Sequence, residues 1–260
     1  MIGYDKKTRI LVLDNKSIGY AVYVNDAGYL ETLYFGRSLS DYTDFDCVRR
    51  AGEFSTPRYD AASGKETGYA DAFKFDAAPL EISPHGLADK RGAPVIVRDE
   101  RGSFITDFRF RSVRLLKEAP AIEGLPHAHG RCETADILLE DSDLHVRAHL
   151  YLTLFADKDA LVKSFRFENT GKKKVRLTRA MSMQLDLPRC DYDLVHFGGR
   201  WAKERDYFCN PVADGVQEVS SNLGRSSAEE NPFVFLKERS ATMDCGEVIG
   251  FNLVYSGNFK

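Results

Sequence analysis

The chain has 260 residues, 43% of them hydrophobic and 29% charged, which suits a globular protein with a sizeable core. A formal net charge of −3 offers no basic surface for nucleic acid or an anionic membrane, so neither is expected as a partner. No apolar run approaches membrane-spanning length, and the start, MIGYDKKTRILVLD, lacks the long apolar core of a secretory signal. The five cysteines, Cys47, Cys132, Cys190, Cys209 and Cys245, are odd in number, widely spaced and free of any CxxC pair. That pattern predicts free thiols and a cytoplasmic, reducing setting, with no metal and no cofactor.

Taken in order, residues 9–13, 18–24 and 29–35 read as short strands rich in Val, Ile, Leu and Tyr. Turn residues lie between them, and Asp14 and Asp26 read as turn formers rather than catalytic groups. Residues 38–100 have poor periodicity and are rich in Ser, Asp, Gly, Ala, Arg and Pro. They read as a long irregular insert, and a loop of that length in a compact domain is commonly functional. Strand signals return at 103–109 and 112–116. The cleanest strand is 144–155. Leu144, Val146, Ala148, Leu150 and Leu152 should be buried, and His145, Arg147 and His149 more exposed. A strand at 161–167 should turn at Asn169-Thr170-Gly171-Lys172 into a hairpin partner at 175–187, where Met181, Met183, Leu185 and Leu187 alternate with polar residues. Pro188 ends that strand, Gly198-Gly199 signals a turn, and residues 201–205 come nearest to a helical segment. Residues 233–236 and 248–255 add the last strands. Many strands at regular spacing with almost no helix predict an all-β antiparallel sandwich.

Several runs resemble one family. LDLPRCDYDLVHFGGRWAKER (185–205), GRSSAEENPF (224–233) and GEVIGFNLVYSGNF (246–259) occur in order, with weaker matches at DAFKFD (71–76) and IEGLPH (122–127). Together they resemble the N-terminal domain of bacterial α-galactosidases of glycoside hydrolase family 36. The resemblance implies a large β-supersandwich of the galactose-mutarotase-like kind, here as a single domain over 1–260 with the insert at about 38–100. It also implies a parent enzyme that removes terminal α-linked galactose from oligosaccharides of the raffinose or melibiose type, with retention. Such chemistry needs two carboxylates flanking the scissile bond. In the family both are aspartates on a (β/α)₈ barrel expected after Lys260. No catalytic residue is therefore expected within this chain, which reads as a truncated or designed N-terminal domain, inactive alone.

In the family, loops of this domain reach a neighbouring subunit's active site within a tetramer, where an aspartate and an arginine bind galactose. The corresponding stretch makes Asp46, Arg49, Arg50 and Asp71 candidate substrate contacts in trans. Trp201 is expected to pack at a domain or subunit interface, with Arg200, Glu204 and Arg205 as ion-pair partners and Asn231 beside them. Asp186, Asp191 and Asp193 read as solvated carboxylates, and His127, His129, His145 and His149 as ordinary surface histidines. Two rival readings are a stand-alone carbohydrate-binding or mutarotase-like module and a pure oligomerisation scaffold.

Overall fold

The computed structural model describes residues 2–45, 59–60, 65–66, 75, 78–87, 89–127, 129–189 and 191–260. Every element among them is a strand and every pairing is antiparallel, as the alternating sequence predicts. The chain divides into two compact units, residues 1–120 with 130–186, and residues 121–129 with 187–260.

The first unit holds β1 (Ile2–Asp5), β2 (Ile10–Asp14), β3 (Ile18–Val24) and β4 (Leu30–Arg37), paired in that order as one four-stranded sheet. After the two-residue pair β5 (Tyr59–Asp60) and β6 (Lys65–Glu66) come β7 (Val95–Arg98), β8 (Arg109–Leu116), β9 (Cys132–Asp141), β10 (Val146–Phe155), β11 (Leu161–Asn169) and β12 (Arg176–Ala180). Strands β11-β10-β9-β8 make a second four-stranded sheet, and β7 pairs with β12. Leu11, Leu13, Tyr20 and Val22 of the first sheet share one core with Ala135, Ile137, Leu139, Leu150 and Leu152 of the second, and Val95 and Val97 of β7 join it. Each Leu or Ile so buried contributes about 1.5–3 kcal/mol.

In β10, Val146, Ala148, Leu150, Leu152 and Leu154 face the core, with His149 half-buried on the other side, as read from the sequence. Leu144 departs from that expectation. It lies half-buried in the turn before β10, where Asp141 Oδ1 accepts from the amides of Asp143 (3.1 Å) and Leu144 (2.9 Å) and His145 takes a left-handed φ of 54°.

Five sequence expectations for this unit are corrected. β1 precedes the first expected strand. The stretch 103–109 is mostly irregular, and the ladder runs from Arg109 to Leu116 with a bulge between Phe110 and Ser112. The turn after Asn169 does not make a hairpin, because β12 leaves β11 to pair with β7. That ladder stops at Ala180, so 181–187 is not a strand despite its alternation. Nor is 38–100 wholly an insert. Phe45, Leu80, Ile82, Val95 and Val97 are core residues, so its ends belong to the sandwich.

The second unit is built on β13 (Tyr192–Arg200), β14 (Lys203–Pro211), β15 (Glu230–Glu238) and β16 (Val248–Asn252), ordered β14-β13-β15-β16. Gly198-Gly199 does not end β13. The strand runs through it with a bulge and turns at Trp201-Ala202, and Lys203 begins the next strand rather than a helix. Gly199 is required there, since its φ is 141° and an added Cβ would lie 1.9 Å from the Lys203 carbonyl oxygen.

Candidate functional site

The sugar-contact candidates Asp46, Arg49, Arg50 and Asp71 lie outside the described residues. The structure does describe both roots of the segment that carries them. On the N-terminal side, Phe45 packs with Ile10, Ala21 and Leu33. Tyr42 stacks near Phe45 (6.3 Å between rings) and its hydroxyl donates to Asp14 Oδ2 while accepting from the Leu39 amide at 3.0 Å. Burial, and then the bond to Asp14, push the Tyr42 hydroxyl pKa up. Burial alone would raise that of Asp14, but bonds from Ser38, Tyr42 and the Lys16 amide hold it below the ordinary value. On the C-terminal side, Phe75 meets Tyr29 edge-on at 5.0 Å, and Tyr29 donates to Asp107 Oδ1 at 2.7 Å.

Behind the second root lies a buried polar network that the alternation pattern did not reveal. Lys163 on β11 occupies an inward position, opposite Leu152. Its ammonium donates to Glu81 Oε2 (2.8 Å), to the Tyr20 hydroxyl (2.6 Å) and to the Gln184 carbonyl (3.2 Å). Glu81 also accepts from Tyr20 and Thr32 through Oε1. The side chains of Lys163 and Glu81 are only 5% and 1% exposed, so the pair is shielded from water. Desolvation, then the Glu81 charge, raise the Tyr20 pKa well above its ordinary value. Sequence held one signal, a lysine on the apolar face of a strand.

Gln184 links this network to a second one. Its side-chain amide donates to Ser83 Oγ (2.9 Å) and accepts from the Ser83 amide (3.0 Å). Next to it the Arg91 guanidinium donates to Asp89, to Asp186 and to the carbonyls of Phe75 and Ala78. Asp186 is therefore not the solvated carboxylate expected, since it is half-buried on Arg91. Burial raises its pKa despite the opposing charge of Arg91. Asp89 is also pushed up by burial, but bonds from Arg91, its backbone amide and Ser83 win and hold it below the ordinary range. Asp191 and Asp193 are likewise taken up, the first by Arg189 at 2.7 Å and the second beside Lys237 and Arg239.

His149 Nδ1 bonds Asp136 Oδ1 at 2.7 Å, and Arg114 holds the other carboxylate oxygen at the same distance. His127 and His129 have ring centroids 4.6 Å apart. Among the described residues no group of three metal-ligating side chains forms.

In the second unit, Trp201 is 85% exposed at the β13–β14 turn. Arg200 ends β13, Glu204 accepts from the Ala202 amide at 2.9 Å, and the Arg205 amide donates to the Ala228 carbonyl at 2.8 Å. No ion pair among the described residues engages Arg200, Glu204 or Arg205. Asn231 donates to the Ser227 carbonyl at 3.2 Å and so ties the 224–233 loop to β15. Phe233, Phe235, Phe197 and Tyr207 form a row of ring contacts across β15, β13 and β14.

The chain has known relatives. The family model described as the glycosyl hydrolase family 36 N-terminal domain matches residues 28–260. The chain is 34% identical to alpha-galactosidase AgaA of Geobacillus stearothermophilus over 99% of its own length and 35% of that protein's. Crystal structures agree with the fold. The GH36 alpha-galactosidase AgaB of the same organism matches with a TM-score of 0.89 at 32% identity, over 99% of this chain and 35% of that one. A variant of AgaA in complex with raffinose matches with a TM-score of 0.86 at 33% identity, over 96% and 34%. The chain thus spans about a third of the length of the relatives it matches. With its fold matched along nearly the whole chain and all three of its signature runs inside residues 28–260, the chain belongs to glycosyl hydrolase family 36, as an N-terminal domain of that family.

Proposed function

We propose that the protein carrying this chain is a retaining α-galactosidase that removes terminal α-linked galactose from oligosaccharides such as raffinose and melibiose. The observation that carries the reading is agreement in sequence and fold, along nearly the whole chain, with an alpha-galactosidase that binds raffinose. In this reading the domain is of the galactose-mutarotase-like supersandwich kind. It supports a catalytic barrel, shapes the substrate entrance and takes part in a cytoplasmic homo-oligomer, a tetramer in the parent. Trp201, exposed on its turn, and the aromatic row of the second unit suit such an interface, where a large ring contributes most when covered. Asp46, Arg49, Arg50 and Asp71 are assigned to galactose bound in a neighbouring subunit. Their changes to alanine lower kcat/KM by roughly tenfold to a hundredfold each, the effect of one charged hydrogen bond.

The test is the full gene product assayed on nitrophenyl α-galactoside and raffinose, with the anomer of released galactose followed by NMR. Release of α-galactose supports the reading. No turnover, or release of the β-anomer first, overturns it. Residues 1–260 alone are expected to be inactive.

A further inference from the structure

We propose that the cationic edge formed by β12 and the turn before it is a docking surface for an anionic lipid bilayer. Lys172, Lys173, Lys174, Arg176 and Arg179 fall within eight residues, and no carboxylate stands between Glu168 and Asp186. All five cations are exposed. The formal net charge of −3 conceals them, because it averages over the whole chain. The lysines sit in a defined turn, where Asn169 accepts from the Gly171 amide at 3.0 Å and donates to the Lys173 carbonyl at 2.8 Å. The strand that follows is mounted on the sandwich, since β12 pairs with β7 and Val175 packs on the main core. Across that pair Arg176 lies directly opposite Arg98, and like charges so placed repel.

Elsewhere in this unit exposed arginines meet carboxylates, as Arg101 meets Asp99 and Arg111 meets Glu140. Among the described residues no ion pair engages Lys172, Lys173, Lys174, Arg98, Arg176 or Arg179. One carboxylate borders the patch, Glu100, which accepts from the Lys174 amide at 3.1 Å. Arrayed anions would relieve the repulsion, and the apolar neighbours select their source. The Arg98 guanidinium lies 5.0 Å over the Phe104 ring. Phe104 and Ile105 are 41% and 53% exposed, and Leu177, next to Arg176, is 43% exposed. Cations beside exposed apolar side chains suit a headgroup layer, where the cations meet phosphates and the apolar groups enter the acyl boundary. A nucleic acid strand can stack on Phe104 but has no use for Ile105 and Leu177.

The test is co-sedimentation of the full gene product with vesicles of phosphatidylcholine, alone or mixed with phosphatidylglycerol. Mixed vesicles should retain the protein at about 0.1 M salt and release most of it at about 1 M, where screening shortens to about 3 Å. Each cation near such a surface contributes about fivefold, so Lys172→Gln, Lys174→Gln and Arg176→Gln together should lower partitioning roughly a hundredfold. Phe104→Ser should lower it roughly tenfold, which attraction between charges alone would not give. Should the triple variant fail to fold, Lys172→Gln, Lys173→Gln and Lys174→Gln serve instead, since all three lie outside any ladder. No retention, equal retention on neutral vesicles, or retention unmoved by the charge variants or by Phe104→Ser overturns the proposal. So does capture of a single-stranded oligonucleotide by a protein that mixed vesicles do not retain.

Discussion

Lys163 and Glu81 offer the sharpest test of the core. Lys163→Met removes three bonds from the ammonium and leaves Glu81 Oε2 without its donor, on a side chain 1% exposed. A buried charge stripped of its partner costs about 3–5 kcal/mol. Glu81→Leu strands the ammonium in the same way and should cost as much. The double variant should not cost the sum. The Tyr20 and Thr32 hydroxyls lie 3.2 Å apart and can still bond each other, and Met and Leu fill the vacated space. An interaction energy of about 3 kcal/mol is expected, at the upper end for touching residues. Urea unfolding of the four proteins, followed by near-ultraviolet circular dichroism, gives the cycle. Single variants costing less than about 1 kcal/mol, or a double equal to their sum, would refute the claim that this pair is desolvated.

The two carboxylates on Arg91 should respond oppositely to neutralisation. Asp89 titrates below the ordinary 3.8, so its contribution is present at neutral pH and lost as pH falls through the lowered value. Asp89→Asn should lower Tm at pH 7. Asp186 titrates above 3.8, so its ionised form disfavours the fold, and the fold gains as pH falls through the raised value. Asp186→Asn should keep or raise Tm at pH 7, and a shared direction of change would contradict the assignment. At Gly19 an added Cβ would lie 1.8 Å from the Tyr42 hydroxyl oxygen, whereas at Gly3 it meets nothing within 4 Å. Gly19→Ala should therefore lose about 1–3 kcal/mol and Gly3→Ala stay within about 0.5 kcal/mol, as read by thermal melts. Cys132, Cys209 and Cys245 are free thiols, and titration of the denatured, unreduced protein should find all five cysteines reactive. Three or one would overturn the reducing setting.

Legibility followed chemistry closely. β10 was readable because one face is apolar at every second position. β9 was harder to read because Leu138 interrupts the polar side of its alternation and Thr134 and Asp136, though polar, are almost as inaccessible as Ile137. The stretch 181–187 misled for the opposite reason. Leu185 packs on the core while Gln184 bonds Ser83, so the alternation is real but the hydrogen-bond partner is a side chain. Gly198-Gly199 read as a turn because sequence does not distinguish a glycine that bends the chain from one that admits a neighbouring carbonyl. The family was legible from short runs in the last third of the chain. The polar networks were not, since Glu81, Arg91, Lys163 and Asp186 are far apart in sequence.

The pairing of β12 with β7 bears on the order in which the first unit assembles. Its partners Arg176 and Arg98 are separated by the whole of β8 to β11, whereas β9, β10 and β11 follow one another through short turns and β8 meets β9 across the connection 117–131. Closing a long loop costs entropy before any contact returns it, so the meanders β1–β4 and β8–β11 should form early and the β7–β12 ladder late. Until it closes, Val95 and Val97, both almost wholly buried in the finished core, remain in water. A nascent chain that pauses before Ala180 therefore exposes two β-branched residues next to an unpaired strand edge, which is where misassembly between neighbouring chains would begin.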